Sequence, residues 1–326
     1  MRFDSPYEFV VEGRYGFVDA GCHVVIPPEF DMTLGFSEGL APVQLGKLWG
    51  YINPEGVMMI NPQFTGAFPF ADGLASVQLE ENGEWGFIDK TGKVVIPPQF
   101  SFPLFYSEGL VAAYGKRGSL NGVPLGYVDK AGAYVIRFNA SEEMAGGTFS
   151  EGLAPVEVRP LNADGSVGSS KSGYIDKTGK MVIPASFEGA SGFHDGLAAV
   201  SEKSKSGYID KTGKFVIGPR FDGARDFSEG LAGIQIGDKW GYADQNGVVV
   251  IAPAFESVGE FAEGFAPVKI NGKMGFVDPG GHILIPAEFD RVSPFTGEAA
   301  LFSLGKKWGF MDKKGNKICE MPQSAH

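Results

Sequence analysis

The sequence predicts an all-β repeat protein, and three observations carry that prediction. One stretch, Glu84-Trp85-Gly86-Phe87-Ile88-Asp89-Lys90-Thr91-Gly92-Lys93-Val94-Val95-Ile96-Pro97-Pro98, recurs nine times along the 326 residues. Aligned on the glycine that follows the aromatic, the copies fall at Gly16, Gly50, Gly86, Gly126, Gly173, Gly207, Gly241, Gly275 and Gly309, at intervals of 34, 36, 40, 47, 34, 34, 34 and 34 residues. A period of this size is the signature of stacked supersecondary units. Each copy also alternates short apolar runs with turn residues, as strands do and helices do not. Finally, the 48 glycines and 21 prolines sit mainly at fixed repeat positions, which is turn chemistry and not low complexity.

Each element of the third copy has a physical reading. Leu74–Leu79 is strand A, with Ala75, Val77 and Leu79 on one face. Trp85–Asp89 is strand B, with Trp85 and Phe87 sharing a face. Val94–Pro97 is strand C; its consecutive apolar residues predict burial on both sides. Between B and C, Asp89-Lys90-Thr91-Gly92 predicts a type I turn closed by a glycine bulge, because Asp can bond its own downstream backbone and Gly tolerates positive φ. Asp recurs at 19, 129, 176, 210, 244, 278 and 312, with Asn53 in the second copy. Prolines after strand C (Pro27-Pro28, Pro97-Pro98, Pro184, Pro219, Pro253, Pro286) end the ladder and blunt its edge. Phenylalanines six residues apart then flank six of the crossovers (Phe30 and Phe36, Phe64 and Phe70, Phe187 and Phe193, Phe221 and Phe227, Phe255 and Phe261, Phe289 and Phe295) and should pin them to the core. The glycine after the aromatic implies a close approach. Either a neighbouring ring lies over it or the sheet bends there.

Trp49-Gly50, Trp85-Gly86, Trp240-Gly241 and Trp308-Gly309, each followed by Tyr or Phe and then mostly by Asp-x-x-Gly, resemble the bacterial WG repeat. The resemblance spans essentially the whole chain. It departs where Tyr15, Leu125, Ser172, Ser206 and Met274 replace the tryptophan. It implies a single all-β WG-repeat domain over residues 1–326, from a bacterium, in a family with no shared catalytic residues. The units expected are 7–36, 37–70, 71–106, 107–149, 150–193, 194–227, 228–261, 262–295 and 296–321.

Nine three-stranded antiparallel units can stay open as a solenoid or close as a β-propeller. Propeller blades usually have four strands and number about four to eight. The first and last units each hold their own strands A, B and C, so no strand is left to complete a shared blade. The expectation is therefore an open superhelix, with a closed propeller-like ring as the alternative.

Charge and composition exclude some functions. The formal charge of −11 and the absence of a basic block argue against a nucleic-acid partner. No apolar run is long enough to span a bilayer, and no leader pattern is visible at Met1–Pro6. Cys22 and Cys319, in the first and last units, predict no disulfide framework, so a bacterial cytoplasm is the expected location.

Candidate chemistry is sparse. The acids Glu38, Asp72, Glu108, Glu151, Asp195, Glu229 and Glu263 before Gly-Leu or Gly-Phe could form a ladder of cation sites. One carboxylate per unit is too few, and bonding to backbone N–H groups at the entry to strand A is the favoured reading. His23 and His282 take the solvated position after the turn, and His194 stands beside Asp195 with no nucleophile in reach. Cys22 takes the position of the turn glycine Gly92. Gly165–Ser172 resembles a phosphate loop but fails its spacing. No cofactor, metal site or catalytic set is expected.

The informative irregularity lies in units four to six, which also lose the tryptophan at Leu125, Ser172 and Ser206. Insertions at Gly115–Pro124 and Arg159–Lys171 separate strands A and B, and a third at Asn139–Thr148 lengthens a crossover. Insertions at one topological position should emerge from one face. Tyr114, Arg117, Leu120, Arg137, Arg159, Leu161 and Asp164 are the candidate partner-binding residues. The expected function is a non-enzymatic protein-binding scaffold. A sharper expectation is an immunity protein that occludes a basic bacterial toxin, steered by the acidic charge. The alternative is a carbohydrate- or envelope-binding protein using exposed aromatics as stacking platforms.

Overall fold

The computed structural model describes residues 6–101, 105–114, 124–138, 142–160 and 168–322. Among them the chain forms 34 strands in nine small antiparallel sheets and no helix. The sheets, I to IX in chain order, are blades of a closed nine-bladed β-propeller ring. The open superhelix is thereby corrected to the closed alternative.

Sheet II shows the unit. Strand A (Ala41–Leu45), strand B (Leu48–Ile52) and strand C (Met58–Phe64) follow the predicted order, and Met32–Thr33 adds a short leading strand that pairs with A. The predicted three-stranded unit is thus a four-stranded sheet in seven cases; sheets I and IV have three strands among the described residues. The extra strand comes from the crossover between the two phenylalanines, where sequence alternation is too short to register.

The B–C turns are as the sequence requires. Gly92 N donates to Asp89 O at 2.9 Å, Asp89 Oδ1 accepts from Thr91 N at 2.9 Å, and Gly92 has φ of +84°. Asn53 Oδ1 accepts from Val57 N at 2.8 Å, as Asp89 Oδ1 accepts from Lys93 N at 3.1 Å.

Strand C differs from expectation. Val25, Met59, Val95, Val135, Val182, Val216, Val250, Leu284 and Ile318 are all exposed. The residue after each is buried or half-buried. The cause is a register shift: Phe87 pairs with Ile96 and Ile88 with Val94, so Val95 is an extra residue turned outward. A second shift sets Gly86 opposite Pro97–Gln99, between the pairs Trp85↔Phe100 and Phe87↔Ile96. This bulged backbone explains the glycine. A Cβ on Gly86 would lie 2.5 Å from Ile96 O and 2.8 Å from Pro98 N. Neither the predicted covering ring nor a simple bend accounts for it.

The core is a string of nine apolar clusters, one at each interface between neighbouring sheets. The aromatic after each of the first eight repeat glycines stacks on the second aromatic of the next crossover, as Tyr51 does on Phe70 at 5.1 Å and Tyr208 on Phe227 at 4.7 Å. Where it is Tyr, its hydroxyl also donates to a crossover carbonyl, for example Tyr51 to Phe68 O at 2.8 Å and Tyr242 to Gly259 O at 2.8 Å. Burial drives these tyrosine pKa values up, which keeps the donors protonated.

The ring closes between sheets IX and I. Phe9, Val18 and Ala20 pack with Ala299 and Phe310, and Tyr7 stacks on Phe310 at 4.6 Å. Cys22 and Cys319 form a disulfide across this interface, with Cα atoms 5.9 Å apart. The expectation of no disulfide is corrected. Each terminal sheet supplies its own strands A, B and C, and the two pack face to face.

Candidate functional site

The two ends of the ring have different chemistry. One end carries the B–C turns and the repeated acids. Glu38, Asp72, Glu108, Glu151, Asp195, Glu229 and Glu263 all have φ between 50° and 57°. Each carboxylate accepts a backbone N–H from the equivalent turn of the next sheet: Asp72 from Gly109 at 2.6 Å, Glu229 from Gly264 at 2.9 Å, Glu263 from Gly297 at 2.6 Å. A lysine from the B–C turn of that next sheet completes several clamps, with Lys130–Asp72 at 2.8 Å, Lys211–Glu151 at 3.0 Å and Lys313–Glu263 at 2.8 Å. Lys130 holds the Asp72 carboxyl below the usual carboxylate range, and Lys313 does the same for Glu263. Burial opposes the shift at Glu151, yet Lys211 and Gly196 still pull it down. The ladder joins sheet to sheet, and its carboxylates are engaged by the protein. Among the described residues, no three His, Cys, Asp or Glu side chains are grouped to hold a metal ion.

The histidines also serve local contacts. His23 and His282 bond Asp19 and Asp278 of their own turns, with Nδ1–Oδ2 distances of 3.0 and 2.9 Å. His194 faces Asp226, not Asp195, at 3.6 Å.

The other end carries the A–B hairpin turns and the start of each crossover. Asp31, just after strand C of sheet I, accepts from Gly46 in the A–B turn of sheet II at 2.6 Å, which places the two features side by side. All three predicted insertions leave the frame at this end. Strands A (Leu110–Tyr114) and B (Pro124–Asp129) of sheet IV flank the first. Strands A (Leu153–Pro160) and B (Lys171–Asp176) of sheet V flank the second. The crossover insertion contains the strand Glu142–Gly146, and Glu142 pairs with Pro160, the last residue of strand A within the second insertion. The leading strand here has five residues, against two in sheet II.

The candidate residues divide accordingly. Tyr114 ends strand A of sheet IV opposite Pro124. Arg137 lies at the end of strand C, exposed, with its guanidinium 4.4 Å from the Tyr134 ring centroid. Arg159 is exposed and pairs with Glu157 at 2.8 Å. The Ser170 hydroxyl and Arg159 together hold the Glu157 carboxyl low. Arg117, Leu120, Leu161 and Asp164 lie outside the described residues.

One neighbouring feature escaped the sequence reading. In sheet III the A–B connection runs from Leu79 to Glu84, and Leu79, Glu80, Gly83, Glu84 and Pro98 line an open pocket. Beside strand B of the same sheet, Phe68 packs on Trp85 with centroids 5.1 Å apart, and the exposed Phe105 meets Phe68 edge-on at 5.5 Å. The signal was the interval of 36 between Gly50 and Gly86, two residues longer than the repeat norm. The signature tryptophans are not free platforms: Trp49 is buried, and Trp85, Trp240 and Trp308 are partly buried.

The sequence profile described as "WG containing repeat" matches residues 15–49, 49–82, 85–118, 173–205, 207–240, 240–273 and 274–308, more than half of the chain. The chain belongs to the WG-repeat family. No curated protein sequence matches it. Solved structures similar to this WG-repeat ring include dihydro-heme d1 dehydrogenase NirN in complex with DHE, at 14% identity and a TM-score of 0.45, covering 85% of this chain and 71% of that one. A prolyl endopeptidase structure matches at 9% identity and a TM-score of 0.46, covering 91% of this chain and 53% of that one. The Pyrococcus horikoshii acylaminoacyl peptidase matches at 10% identity and a TM-score of 0.40, covering 93% and 57% respectively. The chain thus spans little more than half the length of the two peptidases. These similarities are too low to carry an argument about activity. Among the described residues, no helix is long and apolar enough to cross a membrane.

Proposed function

We propose that this WG-repeat ring is a non-enzymatic protein-binding scaffold, and that its binding surface is the hairpin end of sheets III to V. The observation that carries the reading is the convergence of three insertions at one end of two adjacent sheets, with Glu142 paired to Pro160 between them. The pocket at Leu79–Glu84 extends that surface on sheet III. Rigid sheets holding variable loops are a common way to present a recognition surface. The regular ladder at the opposite end has its carboxylates committed to the frame. The partly buried tryptophans favour a protein partner over a sugar that would stack on them.

The formal charge of −11 favours a partner with a basic face, since complementary charge speeds encounter. A basic toxin neutralised by occlusion is one such partner, and charge is the only feature that supports that finer reading. The Cys22–Cys319 disulfide favours an oxidising compartment over the cytoplasm first expected. Deleting Leu161–Ser169 should abolish capture of the partner in a pull-down while leaving the melting temperature unchanged. Retention of the partner at wild-type level would reject this surface.

A further inference from the structure

At each of eight interfaces the turn glycine of one sheet packs on an isoleucine from strand C of the sheet before it. Gly56 meets Ile26, Gly92 meets Ile60, and the series runs on to Gly281 on Ile251 and Gly315 on Ile285, with a glycine Cβ placed 2.8–3.3 Å from the isoleucine side chain. At the ninth interface Cys22 stands at the turn-glycine position, with φ of +60°, and Cys319 stands four residues after Gly315, as Ile285 stands after Gly281. The disulfide therefore occupies the place of the repeat's own Gly–Ile contact.

Among the described residues this interface does not show the acid clamp seen from sheet II through sheet IX. Gly297 takes the ladder-acid position in sheet IX, so no carboxylate is offered there. Ala20 takes the position of Lys90 in the turn of sheet I. No chain connection crosses from sheet IX to sheet I. Among the described residues the interface is held by apolar packing and by the disulfide. Both cysteines are partly exposed, so an external thiol can reach them.

We propose that Cys22–Cys319 is a thiol–disulfide exchange site and that its redox state decides whether the ring is latched at the seam between sheets IX and I. The opening reagent is a dithiol. Its thiolate attacks one protein sulfur, giving a mixed disulfide and releasing the other cysteine as a thiolate, which takes up a proton. The second reagent thiolate displaces the remaining cysteine. The protein gains two thiols and the reagent becomes a disulfide. Closure is the reverse, with a low-molecular-weight disulfide as oxidant.

Hydrogen exchange of the full chain, followed by mass spectrometry with and without dithiothreitol, tests this. Reduction should accelerate exchange at least tenfold in Tyr7–Val18 and Ala299–Asp312, and leave Ala198–Val277 unchanged. A C22S/C319S variant should exchange like the reduced protein in either condition. A C22G/C319I variant, which restores the repeat's own pair, should stay slow with or without reductant. Exchange in the terminal sheets of the wild-type protein that ignores dithiothreitol would overturn the proposal. So would a C22S/C319S variant that exchanges as slowly as the oxidised wild-type protein.

Discussion

Gly86 shows how much one position can demand. Strand C bulges toward it, and any Cβ would press on Ile96 O and Pro98 N, backbone atoms that cannot swing away. Relief would require moving strand C and with it Ile96, which is buried against the next sheet. Gly86→Ala should therefore destabilise the protein by about 2–4 kcal/mol, in the range of overpacking and strain effects. Urea unfolding monitored by Trp fluorescence measures it. By contrast, neighbouring Val95 is the outward residue of a bulge and has little packing to lose. The sequence marked the glycine as special but not the reason, because a bulge in the partner strand leaves no mark on strand B itself. Consecutive Val94-Val95-Ile96 likewise reads as a doubly buried strand until the register shift is seen.

Elements are joined by the acid ladder. Each acid adopts a left-handed backbone conformation that costs about 1 kcal/mol or more for a residue with a side chain. In return its carboxylate spans to the next sheet's turn and often meets a lysine there. The folded-state pKa values of Asp72, Glu151 and Glu263 are depressed. Depression means that their stabilising effect is fully present above the unfolded carboxylate values near 4 and is lost as pH falls through the lower folded values. The melting temperature should hold steady from about pH 7 to 5 and fall as the solution is acidified from about pH 4 toward 2, a drop that Asp72→Asn and Glu263→Gln together should shrink. A melting temperature that rises on acidification would contradict the ladder. Strands, turns and the aromatic spine were legible because they repeat within one unit: Asp-x-x-Gly dictates the turn, and the Phe pair brackets the crossover. The target of each acid was not legible, because its partner lies a whole unit away. The two-residue leading strand was too short to show any alternation.

At the scale of the molecule, closure was the feature the repeat pattern hid. Counting strands suggested that nothing remained to bridge the ends, since many propellers join them by sharing one blade. This ring instead seals two finished sheets with Tyr7 on Phe310 and a disulfide spanning 297 residues. The clue was present in Cys22 at a turn-glycine site and Cys319 at an isoleucine site, two exceptions that make sense only when the first and last units are neighbours. The hairpin-end insertions were legible as breaks in period, and Glu142 opposite Pro160 brings two of them side by side. Arg117, Leu120, Leu161 and Asp164 lie outside the described residues. The pocket at Leu79–Glu84 went unnoticed because a two-residue lengthening looks like ordinary drift.

The closed ring is tested most directly by a spin–spin distance across the seam in the oxidised protein. Labels at Glu12 and Lys306 sit in the A–B turns of sheets I and IX, and labels at Asn271 and Asp238 sit in those of the adjacent sheets VIII and VII. Closure predicts that the two pairs give overlapping distance distributions. An open superhelix, with face-packed sheets about 10 Å apart, would separate the first pair by tens of ångströms more than the second, and that result would contradict the ring.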